Sequence, residues 1–269
     1  MTGFSFARVG AMMLRYLFLL RSSWLRTLET AYWPAVQMLT WGFLQSYFAS
    51  AGATQSASGR LAGTMIGAVL LWDILLRSQQ GVAFSFLEEL WSRNLANLMM
   101  SPLRVSEFIV ALMAISMMRL AVGVLPVTFL AIGIFGFNIW SLGWAFGAFF
   151  VALALFAWAM GILVCGMLLR FGLGAENLAW SLMFAVQPLG CVYYPVTTLP
   201  EWLQPIALAL PPTYVFEGLR ALLLDHVFRP ELMARALALD ALYFVVALLA
   251  FSRLLTEARR VGSILQTGE

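Results

Sequence analysis

The sequence predicts an all-α integral membrane protein. It has six transmembrane helices, an interfacial helix before the first, a short cytoplasmic helix between the second and third, and an outer re-entrant helical segment before the last. Three observations carry this expectation. Of the 269 residues, 62% are hydrophobic and 11% are charged, with a mean hydropathy of +0.88. A soluble domain holds about 45–50% apolar and about 25% charged residues, so this much apolar surface cannot be hidden inside one water-exposed globule. At about 20 apolar residues per span the chain has room for about six to eight helices across a bilayer and little else, which excludes a soluble catalytic domain of ordinary size. The third observation is the basic residues: all 16 are Arg, and with 13 acids the net charge is +3, a balance that reflects cytoplasmic loops rather than nucleic-acid binding.

The whole chain, 1–269, reads as one membrane domain. Residues 1–26 are expected to form an interfacial helix, in which 4–20 alternate apolar and basic positions at helical spacing. Phe6, Val9, Met13, Tyr16, Leu17 and Leu20 share a face, with Arg8 and Arg15 off it, as in a helix lying in the interface with its Arg heads among lipid phosphates. The Arg interruptions and the lack of a small-residue cleavage pattern argue against a signal peptide. The first span is expected at 30–49, with Pro34 in its first turns, where a missing N–H is tolerated. A polar stretch from Ser50 to Arg60 precedes the second span, 61–85. The third, 107–135, and the fourth, 142–169, are joined by a turn around Phe137–Ser141. The fifth is 177–193. Residues 194–230 hold six of the ten prolines and are too broken for a plain span, yet too apolar for a free loop. The last span is 231–254.

With both termini in the cytoplasm, the inner segments hold Arg8, Arg15, Arg21, Arg26, Arg77, Arg93, Arg104, Arg170, Arg253, Arg259 and Arg260. The outer ones hold Arg60, Arg220, Arg229 and Arg235. This asymmetry sets the orientation. Cys165 and Cys191 then fall in opposite leaflets, too far apart for a disulfide, and both read as packing residues.

The link between spans two and three, 86–101, is the most patterned cytoplasmic segment. Leu87, Leu90, Trp91, Leu95 and Leu98 form one helical stripe, with Glu88, Glu89, Ser92, Arg93 and Asn97 opposite. Glu89 and Arg93 are i,i+4 in the favoured order, and Pro102 ends the helix. Within the spans, Asp73 and Arg77 are i,i+4 on one helix, and Arg119 in the third span is a second possible partner for Asp73. A charge at a helix centre costs about 2.5–3.5 kcal/mol on insertion scales, so these residues either form an ion pair fixing helix register or line a pathway. In the outer segment, Pro211-Pro212 separates two short helices. Glu217 and Arg220 either cap or pair across a subunit interface, or form a surface salt bridge of little worth.

Taken in order, these segments resemble a known family. The acidic residues after the second span, the short helix, Ser101-Pro102-Leu103 and Glu107 are similar to the cytoplasmic signature of type-2 ABC exporter permeases. Pro195, Leu199-Pro200-Glu201-Trp202-Leu203, Pro211-Pro212-Thr213-Tyr214 and Glu217-Gly218-Leu219-Arg220 resemble that family's outer re-entrant region. The resemblance covers nearly the whole chain. It implies a pair of six-span subunits, here a homodimer in a bacterial cytoplasmic membrane, above two copies of a separate ATPase subunit. The segment around Glu88–Met100 would be the coupling helix, with Glu88, Glu89, Trp91, Arg93, Asn94, Asn97, Ser101 and Pro102 at the ATPase contact. The outer segment would be marked by Pro200, Trp202, Pro211, Pro212, Tyr214, Glu217 and Arg220.

The sequence has no G-x-x-x-x-G-K-[ST] loop. ATP and Mg are therefore expected on the partner ATPase, with no cofactor or metal on this chain and no catalysis by it alone. The implied function is export of a lipid-like, drug-like or glycolipid substrate. Arg21-Ser22-Ser23-Trp24-Leu25-Arg26 is a thin version of the basic-aromatic run found in exporters of lipid-linked polysaccharides. A secondary transporter or channel is the alternative, but that class predicts in-membrane carboxylates or broken spans in matching halves. The chain shows Asp73, Asp240 and no internal repeat. A membrane-embedded enzyme would need a nucleophile with its base or a metal cluster, whereas the chain has one His, His226, and neither H-E-x-x-H nor G-x-S-x-G.

Overall fold

A helix with no Gly or Pro to stop it runs on, and this decides much of the architecture. The computed structural model describes residues 3–22, 24–50 and 64–261, with the side chains of 22–29 and 49 left aside. The helices are α1 (Phe6–Ser22), α2 (Trp24–Ser50), α3 (Met65–Trp91), α4 (Leu95–Met100), α5 (Val105–Phe135), α6 (Trp144–Phe171), α7 (Leu178–Leu189), α8 (Gln204–Leu208), α9 (Pro211–Leu224) and α10 (Pro230–Val261). No strand occurs among the described residues. The Ser50–Arg60 segment, the first residues of the expected second span, and the side chains of the Arg21–Arg26 run beyond Arg21 lie outside what is described.

Several boundaries move. The first span's helix starts at Trp24, so Pro34 sits in its interior rather than its first turns. The second span does not end at 85. With no Gly or Pro between Val82 and Ser101, α3 continues to Trp91 and takes in Phe86–Leu90. The expected 86–101 helix is therefore two pieces, broken at Ser92–Asn94, where Arg93 adopts a left-handed φ of 52°. α5 ends as expected. Gly136 at φ 67° closes it, with Phe137 N bonding to Ala131 O and Gly136 N to Ile132 O, the paired C-terminal bonds that a left-handed residue permits. α7 has only 12 residues, about 18 Å of rise against an apolar core of about 30 Å. The last helix runs on to Val261.

Among the described residues, three helices are long and apolar enough to cross a bilayer: α5, α6 with its 3₁₀ extension to Ala175, and α10. α2 and α3 are of similar length, 27 residues each, but more polar. α3 is the axis of the bundle: it packs on α2, α5, α6 and α7, while α6 also packs on α10 and α9. Two apolar clusters stack along that axis. One, toward the α5–α6 turn, holds Trp72, Phe149, Phe156 and Phe216; the other, toward α4, holds Tyr16, Phe86, Phe108 and Phe251. Between them α3 presents Arg77, Ser78, Gln79 and Gln80. Small residues allow the close crossings that drive helix association in lipid: a Cβ on Gly81 would lie 2.7 Å from Ser116 Cα, and one on Gly161 would lie 2.8 Å from Val82 Cβ. Trp158 Nε1 donates to Ser116 Oγ at 2.8 Å, tying α6 to α5 at this level.

Candidate functional site

The α3–α4–α5 elbow places the expected coupling residues, but only some of them at the surface. Trp91, Arg93, Asn97 and Pro102 are exposed, and Asn94 and Ser101 are half-buried. Glu88 and Glu89 do not join them, because α3 is still an interhelical element at that point. Glu88 Oε2 accepts from Arg119 NH2 at 2.7 Å. Glu89 is fully buried; it pairs with Arg15 of α1 and accepts from Asn94 Nδ2 at 2.9 Å. Of the residues expected at the contact, Trp91, Arg93, Asn97 and Pro102 are thus the exposed ones, with Met100 exposed beside them, while Glu88 and Glu89 are engaged by arginines of neighbouring helices. Asn94 braces the turn behind the exposed residues, and Asn97 Nδ2 in turn donates to Asn94 Oδ1 at 3.3 Å.

α1 also differs from its expected pose. Its buried face is Val9, Met12 and Tyr16, while Phe6, Leu14 and Phe18 are exposed. The arginines point to protein carboxylates rather than to lipid phosphates. Arg8 donates through Nε to Glu107 Oε2 at 2.8 Å and through NH2 to Glu107 Oε1 at 2.5 Å. Glu107 also accepts from the backbone N–H of Ser5 at 2.8 Å and of Arg104 at 2.9 Å, the return bond of a helix-start box. The hydrogen bond to Glu107 raises the Arg8 pKa further. Burial, then the Glu89 carboxylate, push the Tyr16 hydroxyl far above its usual range. Two buried carboxylates, one on each side of α4, thus hold α1 to the elbow.

Behind the elbow, in the same half of the bundle, lies a cavity of about 480 Å³ between α2, α3, α5 and α7. Its size is that of a small-molecule site, about 300–1,000 Å³. α3 supplies Arg77, Gln80, Phe84, Glu88 and Trp91, spaced at i, i+3, i+7, i+11 and i+14. α2 adds Thr30, Trp33 and Gln37, α5 adds Arg119, and the approach to α7 adds Glu176, Trp180 and Phe184. Phe84 and Trp180 are ring partners at 4.8 Å, and Trp91 Nε1 donates to Glu176 at 3.4 Å. The α3 residues form a periodic stripe, a signal that is present in the sequence. The assembly of this wall with Trp33 and Glu176 carries no sequence signal, because those elements are far apart along the chain.

The intramembrane charges meet differently from expectation. Arg119 is taken by Glu88 rather than Asp73, and Arg77 NH1 donates to Gln80 Oε1 at 3.3 Å. Asp73 is fully buried on α3, with no hydrogen bond to either carboxylate oxygen, and the Asp240 carboxylate on α10 is in the same position. Cys165 and Cys191 are both buried and free.

In the outer segment, Pro211-Pro212 forms the first turn of α9, with the five-residue α8 before it. Pro200 and Trp202 are exposed and Tyr214 is half-buried, its hydroxyl donating to Leu208 O at 2.8 Å. Glu217 and Arg220 lie 3.2 Å apart, but as an internal latch and not a surface pair. Arg220 is buried and donates through NH1 to Cys191 O at 2.9 Å and Val192 O at 3.3 Å, while Glu217 accepts from Val196 N at 2.8 Å.

An all-α bundle with apolar helices of bilayer length defines an integral membrane protein. The family model for the ABC-2 type transporter matches residues 12–224, from α1 through the end of α9. The chain belongs to the ABC-2 type transporter family, whose members act as membrane subunits with an ABC ATPase. No curated protein matches the chain with significance. Among the described residues, no group of three or more His, Cys, Asp or Glu side chains is arranged to hold a metal ion.

Proposed function

We propose that the chain is the permease of an ATP-driven exporter, moving a lipid-like, drug-like or glycolipid substrate out of the cytoplasm or inner leaflet. Two copies stand above two ATPase subunits that bind ATP and Mg. The membrane is the bacterial cytoplasmic one, with six spans and both termini inside. The family match over 12–224 carries this reading, and the elbow supports it. Trp91, Arg93, Asn97 and Met100 are exposed at the end of a buried helix, so a push on them is passed along α3 into the cavity.

The test is purification with the cognate ATPase in mild detergent, which should give a complex of two permeases and two ATPases. Arg93→Glu alters an exposed side chain, so the permease should melt at its usual temperature. Docking should weaken by about 2–5 kcal/mol if the contact is desolvated. Unchanged docking and coupled transport in Arg93→Glu with Asn97→Asp would remove the elbow from the ATPase contact.

A further inference from the structure

The charges around the cavity are unevenly placed: Arg77, Arg119 and the Glu88 paired with Arg119 leave an excess of positive charge on one side, and Glu176 stands apart from them. A small recess of about 40 Å³ opens from it, bounded by Thr30, Arg77, Gln80, Gly81, Phe84 and Arg119, with two guanidinium side chains and no acid. Arg119 keeps its ion pair with Glu88 at 2.7 Å while its buried Nε–H has no acceptor. At the other end of the chamber stand Glu176, Trp91 and Trp180. There an acid and two indole faces make the surroundings that hold an alkylammonium, by charge and by cation–π attraction. Over the whole lining two Arg face two Glu, so a ligand with an excess of either charge gains at one end what it loses at the other. The wall on the side of α2 and α7 is aromatic and open, since Trp33 and Phe184 are both more than half exposed.

We propose that this chamber receives the head group of a zwitterionic amphiphile, a phosphodiester joined to an ammonium. The phosphate lies at the Arg77–Arg119 recess, the ammonium lies among Trp91, Trp180 and Glu176, and the chain leaves between Trp33 and Phe184. This deepens the permease reading and rests on it for the purpose of the site. The same head group could come from a bilayer lipid or from a soluble phosphocholine ester, and the chain exit selects the lipid.

The full-length permease, purified in a neutral maltoside, is tested for binding of a radiolabelled lysophosphocholine. The competitors carry the same acyl chain and bear phosphocholine, a phosphate monoester, trimethylammonium or a second sugar. Chainless glycerophosphocholine is the fifth. The phosphocholine amphiphile should compete about ten-fold better than any other, a factor set by 1.4 kcal/mol. Glu176→Gln and Trp180→Phe, checked for unchanged melting, should weaken phosphocholine and trimethylammonium by about five-fold and leave the phosphate monoester as it was.

Equal or better competition by the phosphate monoester or the sugar head overturns the assignment, as does no binding at all. The same holds if folded Glu176→Gln and Trp180→Phe both bind as the parent does. Equal competition by chainless glycerophosphocholine overturns the lipid as source. Because binding is read without the ATPase, the two readings fail separately. A retained head-group preference with no ATPase docking sinks only the ATP-driven reading, and docking without preference sinks only the head-group assignment.

Discussion

At Glu89 the sequence shows an acid in an i,i+4 pair with Arg93, which fits a solvated helix face. The structure instead buries it under α1 against Arg15 and Asn94. Nothing local distinguishes the two, because burial here is made by residues some 70 positions away. The consequence is measurable. Breaking a buried pair costs about 3–5 kcal/mol, and Arg15, 34% exposed, puts this one near the lower end. Glu89→Ala should therefore lower permease stability by about 3 kcal/mol in a thermal melt without any ATPase present. An unchanged melt would return Glu89 to the contact surface. Asp73 runs the other way. The sequence implies an ion pair whose loss is costly, yet its carboxylate oxygens have no hydrogen-bond partner, so Asp73→Asn breaks no bond and removes a buried charge. Its melting temperature should stay level or rise, because a charge at a helix centre costs about 2.5–3.5 kcal/mol on insertion scales while the amide keeps the same unpartnered polar site. A clear drop would mean that Asp73 is anchored after all.

At the scale of elements, helix existence is legible in the sequence, and several helix ends are not. α5, α6 and α10 are read from composition alone, since an apolar run of bilayer length has few alternatives. α3 outruns its expected end because Glu88 and Glu89, which read as the start of a solvent-facing helix, both meet arginines from neighbouring helices. α7 is the reverse case, stopping at Leu189 although the apolar pattern continues. Backbone that leaves a helix inside a bilayer needs other partners for its polar groups, and α9 supplies them. Arg220 covers the carbonyls of Cys191 and Val192, and Glu217 takes the Val196 N–H. Arg220→Met keeps much of the volume and removes both bonds. Each buried carbonyl left unmet costs about 1–3 kcal/mol. The variant should fold poorly or melt several degrees lower, and the segment 190–196 should exchange its amide hydrogens faster. Protection equal to the parent's would show that α9 does not brace this turn.

For the whole molecule, the pairing of helices fixes which ends lie together, and the Arg distribution supports the orientation we propose. The α3–α5 elbow, the α6–α7 junction and the end of α10 share one end of the bundle through the apolar cluster that joins Leu95, Ala175 and Ala258. The α5–α6 turn and the α9–α10 region share the other through Ile139, Phe216 and Met233. The first end carries Arg93, Arg104, Arg170, Arg253, Arg259 and Arg260, and such clustering beside spans is the ground on which we propose that this end lies in the cytoplasm. Pairing with Glu89 and Glu107 does not weaken the argument at Arg8 and Arg15, because the rule counts basic residues and not net charge. Single cysteines can read this in cells once Cys165 and Cys191, both buried, are replaced by Ala. Asn138→Cys and Thr197→Cys, at exposed positions near the second end, should react with a membrane-impermeant maleimide added outside. Asn97→Cys and Arg259→Cys, exposed near the first, should react only after the membrane is opened. Outside labelling at Asn97 would invert the molecule and carry the ATPase contact with it to the wrong face. Labelling of Thr197 and Asn97 from the same side would instead show that α7 and the turn after it do not complete a crossing.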